Sequence, residues 1–105
     1  MVIGSASITD TITGLTQPSD FLLASLATDC TFACQDAAEE HNILLNSLTT
    51  TTRWKLAEHR EIVVRLGLSG PNADQFDQLI DCIKSRASMY KLLVQIVPIS
   101  FEVVS

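Results

Sequence analysis

The segment Gly67 to Asn72, which reads Gly-Leu-Ser-Gly-Pro-Asn, constrains the fold of this chain more than any other feature. Two glycines and a proline interrupt regular structure. On both sides of the segment, apolar residues recur at spacings of three and four, which is typical of amphipathic helices. Asn72 with Gln75 matches a capping box, and Pro71 is the alternative first residue of a helix. The break therefore predicts a helical hairpin, or part of a small helical bundle.

The apolar spacing predicts helices over residues 19–48, 53–66 and 72–97. Ser19 suits the N-cap of the first helix, and Pro98 ends the third. The third helix is apolar nearly all round at its C-terminal end, which one neighbouring helix cannot cover. Residues 1–17, rich in Ser and Thr, are predicted to form a flexible arm. The rest, 18–105, is predicted to be a single helical domain.

Two stretches have less regular patterns. Thr49 to Thr52 are four consecutive β-branched residues, which lose side-chain freedom in a helix. They predict either a loop or a weak point in one long helix, so the fold has three helices or two. Residues 99–104 alternate apolar and polar side chains, as in a short strand or an extended tail. Since no second strand is evident, a tail packed on the bundle is favoured.

Composition narrows the class of protein. The chain has 105 residues, which indicates one domain, and 47% of them are hydrophobic. A domain this small has little interior in which to bury so many apolar residues, so we expect a partner to cover part of the surface. The net charge is −5, and all seven basic residues lie between Arg53 and Lys91 without forming a cluster. This excludes nucleic-acid binding of the usual kind, which needs clustered Lys and Arg.

The sequence also bears on location. The N-terminus lacks a basic region followed by a continuous apolar core, so no signal peptide is expected. The most apolar run, 92–104, is about half the length of a membrane span and contains Gln95, Pro98 and Glu102. Three cysteines fit reduced thiols better than a disulfide framework. A cytoplasmic location follows from these observations.

The cysteines, histidines and glutamates are the candidate catalytic or metal-binding residues of this chain. Cys30, Cys34 and His41 share one face of a predicted helix, but His41 lies roughly 10 Å beyond Cys34 along the axis. That is too far for one zinc ion, so buried thiols acting as small apolar residues are favoured. Glu40 and His41 are adjacent and lack the Glu-x-x-His spacing of di-iron bundles. No metal, cofactor or catalytic residue is predicted, and the chain is predicted not to be an enzyme.

A resemblance to a known family supplies an alternative. The stretch from Arg53 to Val97, with Gly-Pro-Asn-Ala-Asp-Gln-Phe at its bend, resembles the small subunits and co-chaperones of type III secretion systems. It covers less than half of the chain, and no functional residue is carried over. The resemblance implies a small helical subunit or co-chaperone.

The sequence therefore predicts an all-α fold and a non-enzymatic protein-protein interaction or assembly protein. It would associate through its apolar C-terminal helix and tail, either with itself as a homodimer or larger oligomer, or with another protein. The residues predicted to form this interface are Trp54, Tyr90, Leu92, Leu93, Ile96, Ile99 and Phe101. A second alternative is a small metal- or ligand-binding helical bundle that uses Cys30, Cys34, Glu40 and His41.

Overall fold

A computed structural model of the chain describes residues 18–56 and 60–104. The arm predicted over residues 1–17 lies outside the described residues. The elements follow one another in this order: α1 (Pro18–Glu40), β1 (Ser47–Leu56), β2 (Arg60–Ser69), α2 (Ala73–Arg86), α3 (Ser88–Leu93) and β3 (Ile99–Val104). The fold is thus α+β, and the prediction of an all-α helical bundle is wrong.

The three strands form one sheet in the order β1-β2-β3. β1 and β2 are antiparallel neighbours, paired from Ser47 with Ser69 to Leu56 with Arg60. β3 lies parallel to β2 on its other side, and Ile62 pairs with Ile99. Because parallel strands need a crossover connection, α2 and α3 occupy the chain between β2 and β3.

The threonine run belongs to β1, so it is neither a loop nor a weak point in a helix. β-Branched side chains fit the pleated surface of a sheet. The hydroxyl of Thr31 on α1 donates to the Thr50 hydroxyl at 2.8 Å, and both side chains are buried. The Thr52 hydroxyl donates to the backbone carbonyl of Leu23 at 2.7 Å. The threonines therefore pair the sheet with α1 through hydrogen bonds, which a sequence pattern of apolar residues does not show.

The segment predicted as the helix 53–66 is divided between β1 and β2. Ile62, Val64 and Leu66 are buried on the face of the sheet that packs against the helices. Val63 points to the opposite face, where Arg53 and Glu102 form an ion pair across β2 at 3.2 Å. Val63 is nevertheless buried, so apolar residues run continuously through β2 and hide the alternation expected of a strand.

The alternation in residues 99–104 does mark a strand, which was the less favoured interpretation. Its partner is β2 within the same chain. The prediction of a tail packed on a bundle was wrong because β2 had been assigned to a helix, which left no strand for these residues to pair with.

The predicted helices are shorter in the structure. α1 ends at Glu40, where Asn42 adopts a left-handed backbone with φ of 54° and turns the chain towards β1. The capping box at Asn72 and Gln75 is present and starts α2. The segment 72–97 is interrupted at Ala87, whose extended backbone separates α2 from α3.

The helices pack on one face of the sheet and enclose the core. α1 contributes mainly small residues to it, and α2 contributes Leu79 and Ile83. Asp29 on α1 accepts a hydrogen bond from the backbone N–H of Met89 at 2.6 Å and so attaches α1 to the first turn of α3. None of the helices in the described part of the chain is long and apolar enough to cross a membrane.

Candidate thiol site

Three free cysteines come together where α1 packs against α2. Cys30 and Cys34 lie one turn apart on α1, and both are fully buried. Cys82 lies on α2 and is partly exposed. The burial of Cys30 and Cys34 agrees with the prediction from sequence. The position of Cys82 depends on a contact between two helices that are distant in sequence.

The two thiols of α1 are held in their neutral form. Burial, helped by the charges of Asp29 and Cys34, raises the pKa of Cys30 from its ordinary 9.0 to about 12. Burial, together with the charge of Cys82, raises the pKa of Cys34 to about 11. Both are therefore protonated at neutral pH and behave as small apolar side chains. Cys34 belongs to the core and Cys82 packs against that core from α2, where its charge acts on Cys34.

Cys82 has a different environment. Its sulfur lies 3.6 Å from Nε2 of His41, which is within hydrogen-bonding distance for sulfur. His41 is exposed and follows the last residue of α1. An imidazole beside a partly exposed thiol is the arrangement that activates reactive cysteines. From sequence, His41 was grouped with Cys30, Cys34 and Glu40, and its pairing with Cys82 was missed because the two residues are distant in the chain.

An ion pair lies next to this thiol. Arg86, one turn after Cys82 on α2, donates a hydrogen bond to Glu40 at the end of α1. That hydrogen bond, with the charge of Arg86, lowers the pKa of the Glu40 carboxyl. The same bond raises the pKa of Arg86, with smaller contributions from Cys82 and Asp36. The pair attaches the end of α1 to α2 and holds His41 near Cys82.

The residues predicted to form an interface differ in how far they are buried. Leu93 is buried in the core, whereas Leu92 and Ile96 are 56% and 77% exposed. The rings of Tyr90 and Phe101 pack at 5.5 Å between centroids. Trp54, Ile99 and Phe101 are partly buried against the core. Binding of another chain by these residues stays a prediction.

The residues of the second alternative do not assemble as it required. Among residues 18–56 and 60–104, no group of three or more His, Cys, Asp or Glu side chains is placed to hold a metal ion. Glu40 pairs with Arg86, and His41 contacts Cys82. The hypothesis of a metal- or ligand-binding helical bundle is also wrong in its fold.

Comparison with known proteins identifies the fold. No family model matches the chain, and no curated protein is similar to it. Solved structures do match. One is an organic hydroperoxide resistance protein OsmC from Legionella pneumophila, described as a predicted redox protein and regulator of sulfide bond formation. Its TM-score is 0.76 at 16% identity, over 88% of this chain and 72% of that one.

Two further structures have the same fold. An OsmC-like protein of unknown function from Vibrio cholerae has a TM-score of 0.68 at 16% identity, over 96% of this chain and 75% of that one. An OsmC-like protein from Mycoplasma pneumoniae has a TM-score of 0.69 at 19% identity, over 84% of this chain and 72% of that one. The chain thus has an OsmC-like α+β fold.

These likenesses overturn the predicted function. The predicted interaction or assembly protein and the predicted type III secretion co-chaperone were both helical proteins, whereas the matching structures are OsmC-like α+β proteins. Two of the matching structures are described as redox proteins, in both cases as a prediction. The prediction that the chain is not an enzyme gains no support from them.

Proposed function

We propose that the chain is a thiol-dependent redox protein that reduces a hydroperoxide at Cys82 and then forms a disulfide between Cys82 and Cys34. The observation that carries the proposal is the 3.6 Å contact between the Cys82 sulfur and Nε2 of His41, beside a second thiol on α1. The fold adds support, because a neighbour with a TM-score of 0.76 is described as an organic hydroperoxide resistance protein.

The first step uses Cys82 and His41. His41 accepts the thiol proton at Nε2, and the Cys82 thiolate attacks the terminal oxygen of the hydroperoxide. The O–O bond breaks, and the alkoxide leaves as an alcohol after taking the proton from the imidazolium. Cys82 becomes a sulfenic acid, since it has given two electrons to the peroxide.

The second step uses Cys34. Its sulfur attacks the sulfur of the Cys82 sulfenic acid, water leaves, and a disulfide joins α1 to α2. A neutral sulfenic acid no longer carries the thiolate charge that helps to raise the pKa of Cys34. Burial still raises this pKa, so disulfide formation accelerates as the pH rises from 7 to 9. An external dithiol restores both thiols.

The test measures consumption of cumene hydroperoxide by the purified protein with dithiothreitol as reductant. We expect Cys82→Ser to abolish turnover. Cys34→Ser should accumulate the Cys82 sulfenic acid, detected by mass spectrometry after trapping with dimedone. His41→Asn should slow the first step by roughly tenfold or more, because the general base is lost.

Cys30→Ala is the matched control, because it removes a neighbouring buried thiol of α1 and leaves Cys34 and Cys82 in place. It should retain turnover. Retention of full activity by Cys82→Ser, or its loss in a folded Cys30→Ala protein, would show that the reacting thiol has been misassigned.

A further inference from the structure

Negatively charged side chains outnumber positively charged ones around Cys82. Asp36 and Glu40 lie one turn apart on α1, and the charges of both act on Arg86 of α2. Asp81 is exposed and precedes Cys82 on α2. Arg86 is the cation beside this thiol, and Glu40 pairs with it.

Lys84, the nearby lysine on α2, does not offset this negative charge at Cys82. The amino group of Lys84 lies over the ring of Phe101, 5.7 Å from its centroid, and is therefore directed towards β3. Among the described residues around Cys82, the carboxylates of Asp36, Glu40 and Asp81 outnumber the guanidinium of Arg86. Two negative charges are left unbalanced beside a thiol that solvent can reach.

We propose that this acidic surround makes the thiol site selective by charge, so that it reacts with neutral or cationic sulfur and peroxide compounds and repels dianionic ones. The inference rests on the thiol site proposed above and names the class of compound that reaches it. Exposed charges act on an approaching ion within about 8–10 Å at moderate ionic strength. A clustered set of one sign therefore changes the encounter rate of a charged reactant.

Thiol-disulfide exchange tests this selectivity without a peroxide. The Cys82 thiolate attacks one sulfur of a small disulfide, the S–S bond breaks, and the other half leaves as a thiolate that takes a proton from water. Cys82 is oxidised to a mixed disulfide, and one half of the reagent is reduced. His41 accepts the Cys82 proton, as in the reaction with a hydroperoxide.

The experiment compares three disulfides of similar size: dicationic cystamine, neutral 2-hydroxyethyl disulfide and dianionic dithiodiglycolate. The rate of mixed-disulfide formation at Cys82 is followed by mass spectrometry of the full chain, with Cys82→Ser as the blank. The ratio of the cystamine rate to the dithiodiglycolate rate should exceed the same ratio for free 2-mercaptoethanol by about tenfold at low salt. At 1 M salt, where screening acts over about 3 Å, the two ratios should converge.

Variants assign the effect to particular carboxylates. The double variant Asp36→Asn/Asp81→Asn removes the two unbalanced charges and keeps the Glu40–Arg86 pair, so its ratio should fall to that of 2-mercaptoethanol. Glu61→Gln is the control, because it removes one negative charge on the opposite face of the sheet. Its ratio should equal that of the wild type.

Three outcomes would overturn the proposal: a wild-type ratio equal to that of 2-mercaptoethanol, a ratio unchanged in the folded double variant, or a Cys82 that reacts with none of the three disulfides. Failure of hydroperoxide turnover is a separate result. If the ratio depends on charge as expected while cumene hydroperoxide is not consumed, the selectivity stands and the proposed peroxide chemistry does not.

Discussion

Cys30 and Cys82 carry the same chemical group in opposite surroundings. Cys30 lies on the face of α1 that forms part of the core. It has no exposed surface, and its pKa is raised to about 12. Cys82 lies within α2, is partly exposed, and has an imidazole beside it and an ion pair nearby. The difference teaches that position in the fold, more than the presence of a thiol, decides whether a cysteine acts as an apolar filler or as a nucleophile.

Alkylation should show the largest difference between the two thiols. In native protein at pH 8, iodoacetamide should modify Cys30 at least about 1,000-fold more slowly than Cys82. A pKa of about 12 leaves Cys30 about 1,000-fold less thiolate than an ordinary cysteine, and the reagent also needs the core to open. Mass spectrometry of the modified peptides over time measures both rates. Similar rates would show that Cys30 is accessible and would remove the contrast.

Alkaline pH should destabilise the protein through Cys30. Its folded-state pKa is raised above the ordinary 9.0, so the folded chain keeps a proton that the unfolded chain loses. The contribution to stability is complete below pH 9 and is lost as pH rises towards 12, by up to about 4 kcal/mol.

Urea unfolding at several pH values measures this loss. Cys30→Ala should have a shallower decline above pH 9 than the wild type, and the decline that remains should include the contribution of Cys34, whose pKa is also raised. Equal slopes in the two proteins would mean that Cys30 does not control the alkaline transition.

Enlarging each side chain should also affect the free energy of unfolding differently at positions 30 and 82, and this is the smallest of the expected differences. Cys30→Leu inserts extra volume into a packed core and should lower the free energy of unfolding by about 1–3 kcal/mol. Cys82 packs against the core but is partly exposed, so Cys82→Leu should change this free energy by less, about 0.5 kcal/mol. Urea unfolding at pH 7 is the measurement. A tolerated leucine at position 30 would indicate a cavity beside Cys30.

The sequence predicted some local features well. The capping box at Asn72 and Gln75 is visible as a pattern of residues, because both of its hydrogen bonds lie within one turn. The burial of Cys30 and Cys34 follows from the small, apolar face of α1. Both features depend on residues close together in the chain.

Other features required contacts that the sequence does not display. Val63 is buried on the face of β2 opposite the helices, so β2 lacks simple alternation and was assigned to a helix. Without a predicted strand at β2, β3 had no predicted partner, and the sheet was not predicted. At the thiol site, Cys82 and His41 are 41 positions apart and meet only because α1 packs against α2.

The two strand pairings differ in how far they reach along the chain. β1 and β2 join residues as near as Leu56 and Arg60, while β3 brings Ile99 to Ile62, 37 positions earlier. Closing the longer loop loses more chain entropy before any hydrogen bond is gained. During refolding, the hairpin is therefore able to form before β3 docks, and one edge of β2 stays open to pairing with other molecules until the last strand arrives.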